Sequence, residues 1–409
     1  MASPTSAPPE LELRFPWPRG TFDPPAAYGW LRETEPVKRV IMHDGTPVWL
    51  VTRYDDVRSI LGDPRVSARE ELPGFPPSGV PVPPPEERAF VRMDPPEHTV
   101  FRRLLGKFLT VKAVEAMRPA IQQLVDGTID DLLELPRPVD LVRNLALPIP
   151  STVISWLLGV RSDDASLFNR ATEDIMAATD NLGDPATLAR AVEGRDRILG
   201  LIDRYFGERD AQADPGSDML GQLVQATRDG VIARKDVSNI GNLLLIAGHD
   251  TTASMTSLGT LTLLEHPDQL AELRENPALI PAAIEELLRY LTIVHLIIMR
   301  IALEDIEIGG VTIPAGEGIW PLNLSANRDD AHYPDAATFD IHRGARDHFA
   351  FGYGIHQCIG QPLARVELHV IFETLLRRIP TLQLAVDPAE ISFKRTHAIN
   401  GVHELPVTW

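Results

Sequence analysis

Apolar positions along this chain recur mostly at helical spacing, with short alternating runs towards both ends. Val37 to Met42 and Val48 to Thr52 alternate and flank Asp44-Gly45, which predicts a β-hairpin with a primed turn. Leu72 to Pro85 holds seven prolines and two glycines. Proline removes backbone donors, so this stretch reads as a loop rather than a helix or central strand. From Glu97 to about Glu134 the period is helical, with Leu104, Leu105, Phe108 and Leu109 on one face. Further helices are predicted over Ser151 to Leu158, Asp164 to Ala178, Ala186 to Arg209 and Asp218 to Thr227. The longest candidate, Lys235 to Glu265, spans about 45 Å at roughly 1.5 Å per residue and stops just before Pro267, as a helix should. Ala282 to Tyr290 is another helix. Leu303 to Leu322 switches to short strand-like runs broken by Gly309-Gly310 and Ala315-Gly316. Gln361 to Ile379 is a final long helix, followed by strand-like Leu382 to Val386 and Leu405 to Trp409. The order predicts a mainly α fold with small β-sheets, forming a single domain over residues 1–409 with a proline-containing arm at residues 1–20.

Composition narrows the setting. Apolar residues make up 44% of the chain and charged residues 23%, an ordinary globular balance. No run of eighteen apolar residues is present, and Met1 to Arg19 lacks the basic-then-apolar pattern of a signal peptide. A net charge of −18 argues against nucleic acid or anionic membrane as general partners. One cysteine excludes internal disulfides and fits a reducing, cytoplasmic location.

That cysteine, Cys358, lies within Phe351-Gly352-Tyr353-Gly354-Ile355-His356-Gln357-Cys358-Ile359-Gly360. Glycines four residues before it and two after describe a tight loop around one sulfur, able to aim amide N–H groups at a thiolate. A single thiolate does not make a four-ligand zinc site. It does suffice as the strong axial ligand of a haem.

The spacing F-x-x-G-x-x-x-C-x-G resembles the haem-binding loop of the cytochromes P450, and further matches extend the resemblance from about residue 40 to the C-terminus. It implies the triangular P450 fold and haem b, held by Cys358 as the metal ligand with Phe351 and Gly360 around it. Ala247-Gly248-His249-Asp250-Thr251-Thr252, midway along the long helix, is similar to the distal-helix motif of the family. Asp250 and Thr251 then match the acid–alcohol pair that delivers protons, and Ala247 and Gly248 the small residues that leave room over the iron. Glu286 and Arg289, with Arg343, match the structural E-x-x-R core. His98 and Arg102 on one helix face, Arg300 and His356 match the groups that hold the haem propionates.

By the same resemblance the substrate region is lined by the proline-rich loop, with Phe75 as its aromatic, by Ile175 and Met176, and by Leu243, Leu244 and Ala247. Ile293, Val294, Ile297 and the turn at Ile399 complete an apolar cavity. Arg102, Arg103, Lys107 and Arg365 are expected to form a basic patch for a small acidic ferredoxin. The implied activity is that of a soluble bacterial monooxygenase, which hydroxylates a lipophilic small molecule of the macrolide, terpenoid, steroid, statin or xenobiotic class with O2. A peroxide-driven peroxygenase and a non-catalytic haem-thiolate protein are the alternatives. Asp250-Thr251 argues against the first, since peroxygenases replace that pair.

Overall fold

The computed structural model describes residues 7–77, 88–180, 185–294, 296–394 and 399–409. Among them the helices are α1 (Ala26–Thr34), α2 (Tyr54–Gly62), α3 (Glu97–Gly106), α4 (Val111–Leu133), α5 (Pro148–Leu157), α6 (Ser162–Asp180), α7 (Pro185–Asp210), α8 (Met219–Arg228), α9 (Arg234–Leu264), α10 (Pro267–Glu275), α11 (Ile280–Leu291), α12 (Asn323–Ala326) and α13 (Gln361–Arg378). The strands are β1 (Val37–Ile41), β2 (Pro47–Val51), β3 (Val66–Ser67), β4 (Val139–Asp140), β5 (Arg300–Ala302), β6 (Ile306–Ile308), β7 (Val311–Ile313), β8 (Gly318–Pro321), β9 (Gln383–Leu384) and β10 (Pro406–Thr408).

A five-stranded sheet runs in the order β1-β2-β8-β5-β3, with β2 and β8 parallel and the other pairs antiparallel. Its apolar face packs on the start of the chain. Phe15, Trp17 and Tyr28 bury against Leu50, Met299 and Trp320, and the guanidinium of Arg19 donates to Leu291 O at 3.1 Å. The arm at residues 1–20 is therefore part of the core from Phe15 onward.

Two local expectations are corrected. The turn between β1 and β2 is not primed, because only Gly45 takes positive φ (94°). Met42 O accepts from Gly45 N at 2.9 Å, Met42 N donates to Thr46 O at 2.8 Å, and Asp44 Oδ1 accepts from Thr46 N at 2.9 Å. This is a longer loop closed by a left-handed glycine. The helical run from Glu97 to about Glu134 is two helices, since Thr110 caps α4 by accepting from Ala113 N at 3.2 Å.

Helix α9, 31 residues long, carries an unusual load of hydroxyl residues through its buried half. Several find an acceptor one turn back: Thr256 on Thr252 O (2.9 Å), Thr260 on Thr256 O (2.8 Å) and Thr262 on Leu258 O (2.7 Å). Helices α5, α11 and α13 pack around it, and α4 packs on α13 and α5, in one apolar cluster that includes Leu258, Leu287, Ile371 and Phe372.

Candidate active site

Cys358 enters from the loop between two short 3-10 turns and α13, and it is exposed. Its amide donates to Phe351 O at 2.8 Å, closing the loop on itself. Gly354 sits at φ 73°, and a Cβ there would stand 2.3 Å from Leu61 O, so glycine is required twice over. Desolvation by the loop packed around the sulfur pushes the Cys358 thiol up even though the residue keeps an exposed face; the amides of Gly360 and Gln361 and the guanidinium groups of Arg102 and Arg365 pull the other way. Arg365 also lies over the Phe351 ring at 4.7 Å.

Beside the sulfur is a cluster of basic groups. His98 and His356 lie ring to ring at 4.3 Å, and Arg102 Nη1 donates to Gln357 O at 2.8 Å. Arg300, 7% exposed, donates to Met299 O at 2.8 Å. Burial and the neighbouring guanidinium groups push His98 down to about 4 and His356 to about 3, and burial with Arg92 lowers Arg300 to about 10. His356 Nδ1 is buried with no partner among the described residues. The near carboxylate, Asp94, already accepts from Ser67 Oγ (2.5 Å) and Ala68 N (3.1 Å) and stands 4.0 Å from His356 Nε2. Two guanidinium groups, Arg102 and Arg300, and two imidazoles around one committed carboxylate, with an orphaned imidazole nitrogen, fit an anionic group such as the two propionates of a haem.

Beneath this loop, Arg289 and Glu286 are fully buried and joined twice at 2.7 Å. Arg289 also donates to Asn327 O (2.7 Å) and Ala336 O (2.9 Å), and Arg343 Nε reaches Glu286 Oε1 at 3.3 Å. Asn327 carries the link upward, its Oδ1 accepting from Phe349 N at 2.8 Å. Thr292, buried at the C-terminus of α11, is left-handed (φ 37°). Its Oγ1 donates to Arg289 O at 2.7 Å and accepts from Asn327 Nδ2 at 2.8 Å.

On α9, Ile246 and Ala247 are exposed and Thr251 is half-buried, with its hydroxyl on Ala247 O at 2.6 Å. Asp250 turns away from them. It is 6% exposed, and its Oδ1 meets Lys394 Nζ at 3.2 Å. At Gly248 a Cβ would stand 2.5 Å from Ile154 Cδ1, so its smallness lets α9 approach α5.

The cytochrome P450 family model matches residues 27–383. This chain belongs to the cytochrome P450 family. It is 46% identical over 390 residues to cytochrome P450-SU2 of Streptomyces griseolus, covering 95% of this chain and 94% of that protein. It is 43% identical over 389 residues to the vitamin D3 dihydroxylase of the same organism, covering 94% of each chain. The crystal structure of cytochrome P450 MoxA from Nonomuraea recticatena superposes with a TM-score of 0.90 at 42% identity, covering 97% of this chain and 98% of that one. The P450 is thus a haem-dependent monooxygenase with the triangular, mainly α fold.

Placement of the expected substrate residues is mixed. Leu243, Ile175, Val294 and Ile399 are half-buried, Ile297 is 40% exposed, and Val294 pairs with Ile399 in an isolated bridge. Leu244 and Ile293 are buried in apolar core clusters instead. Spacing by four from Thr251 selects Ala247 and Leu243 and puts Leu244 off that face; Ile246, adjacent to it, is the exposed residue the sequence reading passed over. The side chain of Met176 and residues 78–87 and 398 lie outside the described residues. Phe75 packs with the Phe15–Trp320 cluster, 5.4 Å beneath Arg92, and a Cβ on Gly74 would meet Gly316 O at 2.0 Å. The root of the proline-rich loop is therefore anchored, with Phe75 half-buried against that cluster.

Three of the four cations expected to face a partner are engaged, Arg102 on Gln357 O as described above. Arg365 is held by Glu285 at 2.6 and 3.0 Å, and Lys107 donates to Gln222 Oε1 at 2.6 Å. Arg103 is exposed, as is Arg346, which the sequence reading did not select. Arg346 lines a groove of about 390 Å³ with Val111, Arg118, Pro281, Pro362 and Arg365, at the start of α13 just beyond the cysteine.

Proposed function

We propose that this P450 hydroxylates a lipophilic small molecule in the cytoplasm, using O2 and two electrons from a small acidic ferredoxin and its reductase. The observation that carries the reading is the face of α9 where apolar Ile246 and Ala247 stand exposed beside the Thr251 hydroxyl. It offers an apolar ligand a wall and a proton-bearing group together. Leu243, Val294 and Ile399 extend that wall. The similarity to a vitamin D3 dihydroxylase supports a bulky, poorly charged substrate class. When bound, haem with a thiolate ligand supplies the reductive activation of O2. Cys358 is the residue that would hold it, with His98, Arg102, Arg300 and His356 on its carboxylates. Thr251 and Asp250 supply protons, and the apolar walls orient the substrate and exclude bulk water. The sign of the partner follows from the cations, Arg103 and Arg346, on the side where Cys358 enters α13.

Turnover of a ligand found by a Soret-shift screen tests this, with ferredoxin, reductase and NADPH in one arm and hydrogen peroxide in the other. Product is expected in the first arm at much the higher yield. Thr251→Ala should keep NADPH consumption while releasing peroxide in place of product. Faster product formation from peroxide, with unchanged yield per NADPH in Thr251→Ala, would favour the peroxygenase reading.

A further inference from the structure

Neighbouring residues on α9 face different surroundings, because each step turns the helix by about 100°. Thr251 shares the Ala247 face, whereas Asp250 points into the protein, where Lys394 waits at 3.2 Å with both side chains 9% exposed. Lys394 arrives from the C-terminal hairpin, 144 residues along the chain. Its amide donates to Gly401 O at 2.9 Å beside the Phe393–Val402 bridge. This hairpin lies flush on α9: a Cβ on Gly401 would stand 2.7 Å from Ser254 Oγ and 3.3 Å from Lys394 Cδ. The lysine stem thus runs between strand and helix straight to the carboxylate. The same hairpin carries Ile399, bridged to Val294, and Asn400, whose amide donates to Ile293 O at 2.9 Å.

A lysine in so packed a place is costly unless its charge is met, and an apolar residue of similar volume would fill the space at lower cost. A carboxylate clamped to an ammonium is also turned from the face where a proton is needed. We propose that Lys394 is a positioning residue for Asp250: it fixes the ionised carboxylate off the Thr251 face and ties the acid to the hairpin that walls the substrate region. This rests on the reading that Asp250 and Thr251 deliver protons. Asp250 serves that role by leaving Lys394, taking a proton from solvent water, releasing it on the Thr251 side and returning to the ammonium as the carboxylate, so the lysine sets how often the acid is available. Without Lys394 the carboxylate loses its counter-charge and its fixed direction, and proton delivery falls out of step with electron delivery.

The test uses the haem-loaded protein with its electron-transfer partners. Lys394→Met should lower product per NADPH several-fold and raise peroxide release. The substrate dissociation constant from the Soret shift should stay within about twofold, and Lys394→Arg should restore coupling. Melting temperature gives a readout independent of turnover. Lys394→Met should lower it in the wild-type background but leave it unchanged or higher in Asp250→Asn, since the pair is already broken there. Wild-type coupling in Lys394→Met, or an equal melting decrement in both backgrounds, overturns the positioning role and leaves the proton reading standing. Wild-type coupling in Asp250→Asn overturns the proton reading, and the role of Lys394 with it.

Discussion

Glu285 and Glu286 are adjacent in sequence and both buried, yet they hold different parts of the molecule. Glu286 joins Arg289 and Arg343; Glu285 joins Arg365 of α13 at 2.6 Å and His348, ahead of the cysteine loop, at 3.1 Å. The first was legible from an acid and an arginine at i, i+3. The second was not, because its partners lie 63 and 80 residues away and no local spacing marks them. Lys394 was missed for the same reason. Burial alone would push the Glu285 carboxyl up, but the hydrogen bonds from His348 and Arg365 hold it down to about 2. Its folded value lies below the ordinary glutamate value of about 4.3. The stabilisation is therefore complete above that pH and is lost as the pH falls towards 2. Glu285→Gln should cost on the order of 3 kcal/mol at neutral pH. Its melting temperature should also fall less than that of the wild type between neutral pH and the acid limit. Parallel melting curves for the two proteins across that range would show that Glu285 carries no such linkage.

Among the elements, the cysteine loop is the one most completely encoded in its own residues. Gly354 has a left-handed φ and no room for a methyl beside Leu61 O, so the spacing of glycine to cysteine reports a real steric demand. Gly354→Ala is expected to cost about 1–3 kcal/mol from backbone strain alone, with the clash against α2 added. Haem content per purified chain should fall in step with the melting temperature. Full haem occupancy at an unchanged melting temperature would mean the loop tolerates a side chain there. Gly248 adds a demand that its motif did not name. It matches one of the small residues over the iron, and the side on which it lacks a Cβ faces Ile154. Composition shows that a helix is approached closely at some point, but not by what. The single helical run drawn from Glu97 to about Glu134 failed at a cap, since Thr110 interrupts a period that apolar spacing alone carries through.

Over the whole molecule, a net charge of −18 repels an acidic partner everywhere except where cations concentrate. With Arg365 and Lys107 engaged internally, Arg103 and Arg346 are the exposed cations singled out near the cysteine entry. Arg103→Glu and Arg346→Glu should each raise the KM for ferredoxin and flatten the dependence of the reduction rate on ionic strength. Reduction by a small uncharged donor should be unchanged. A KM unmoved in both variants would place the encounter surface elsewhere. The architecture as a whole was legible because the long helices and the cysteine loop are coded locally; apart from the β1–β2 turn and the Thr110 cap, the wrong or missing pieces are those settled between distant segments. Thr292 is such a piece. A threonine held left-handed costs of order 1–2 kcal/mol, and it persists because two hydroxyl bonds over-determine it. The backbone that follows is fastened as well, Ile293 O to the Asn400 amide and Val294 O to the Asn323 side chain (2.7 Å). On the reading proposed above, that side of the substrate region is a die rather than a cushion. Molecules would be sorted there by outline, and a shift in what the enzyme accepts should arise by exchange of residues on α9, Leu243 and Ile246, while the die stays as cast.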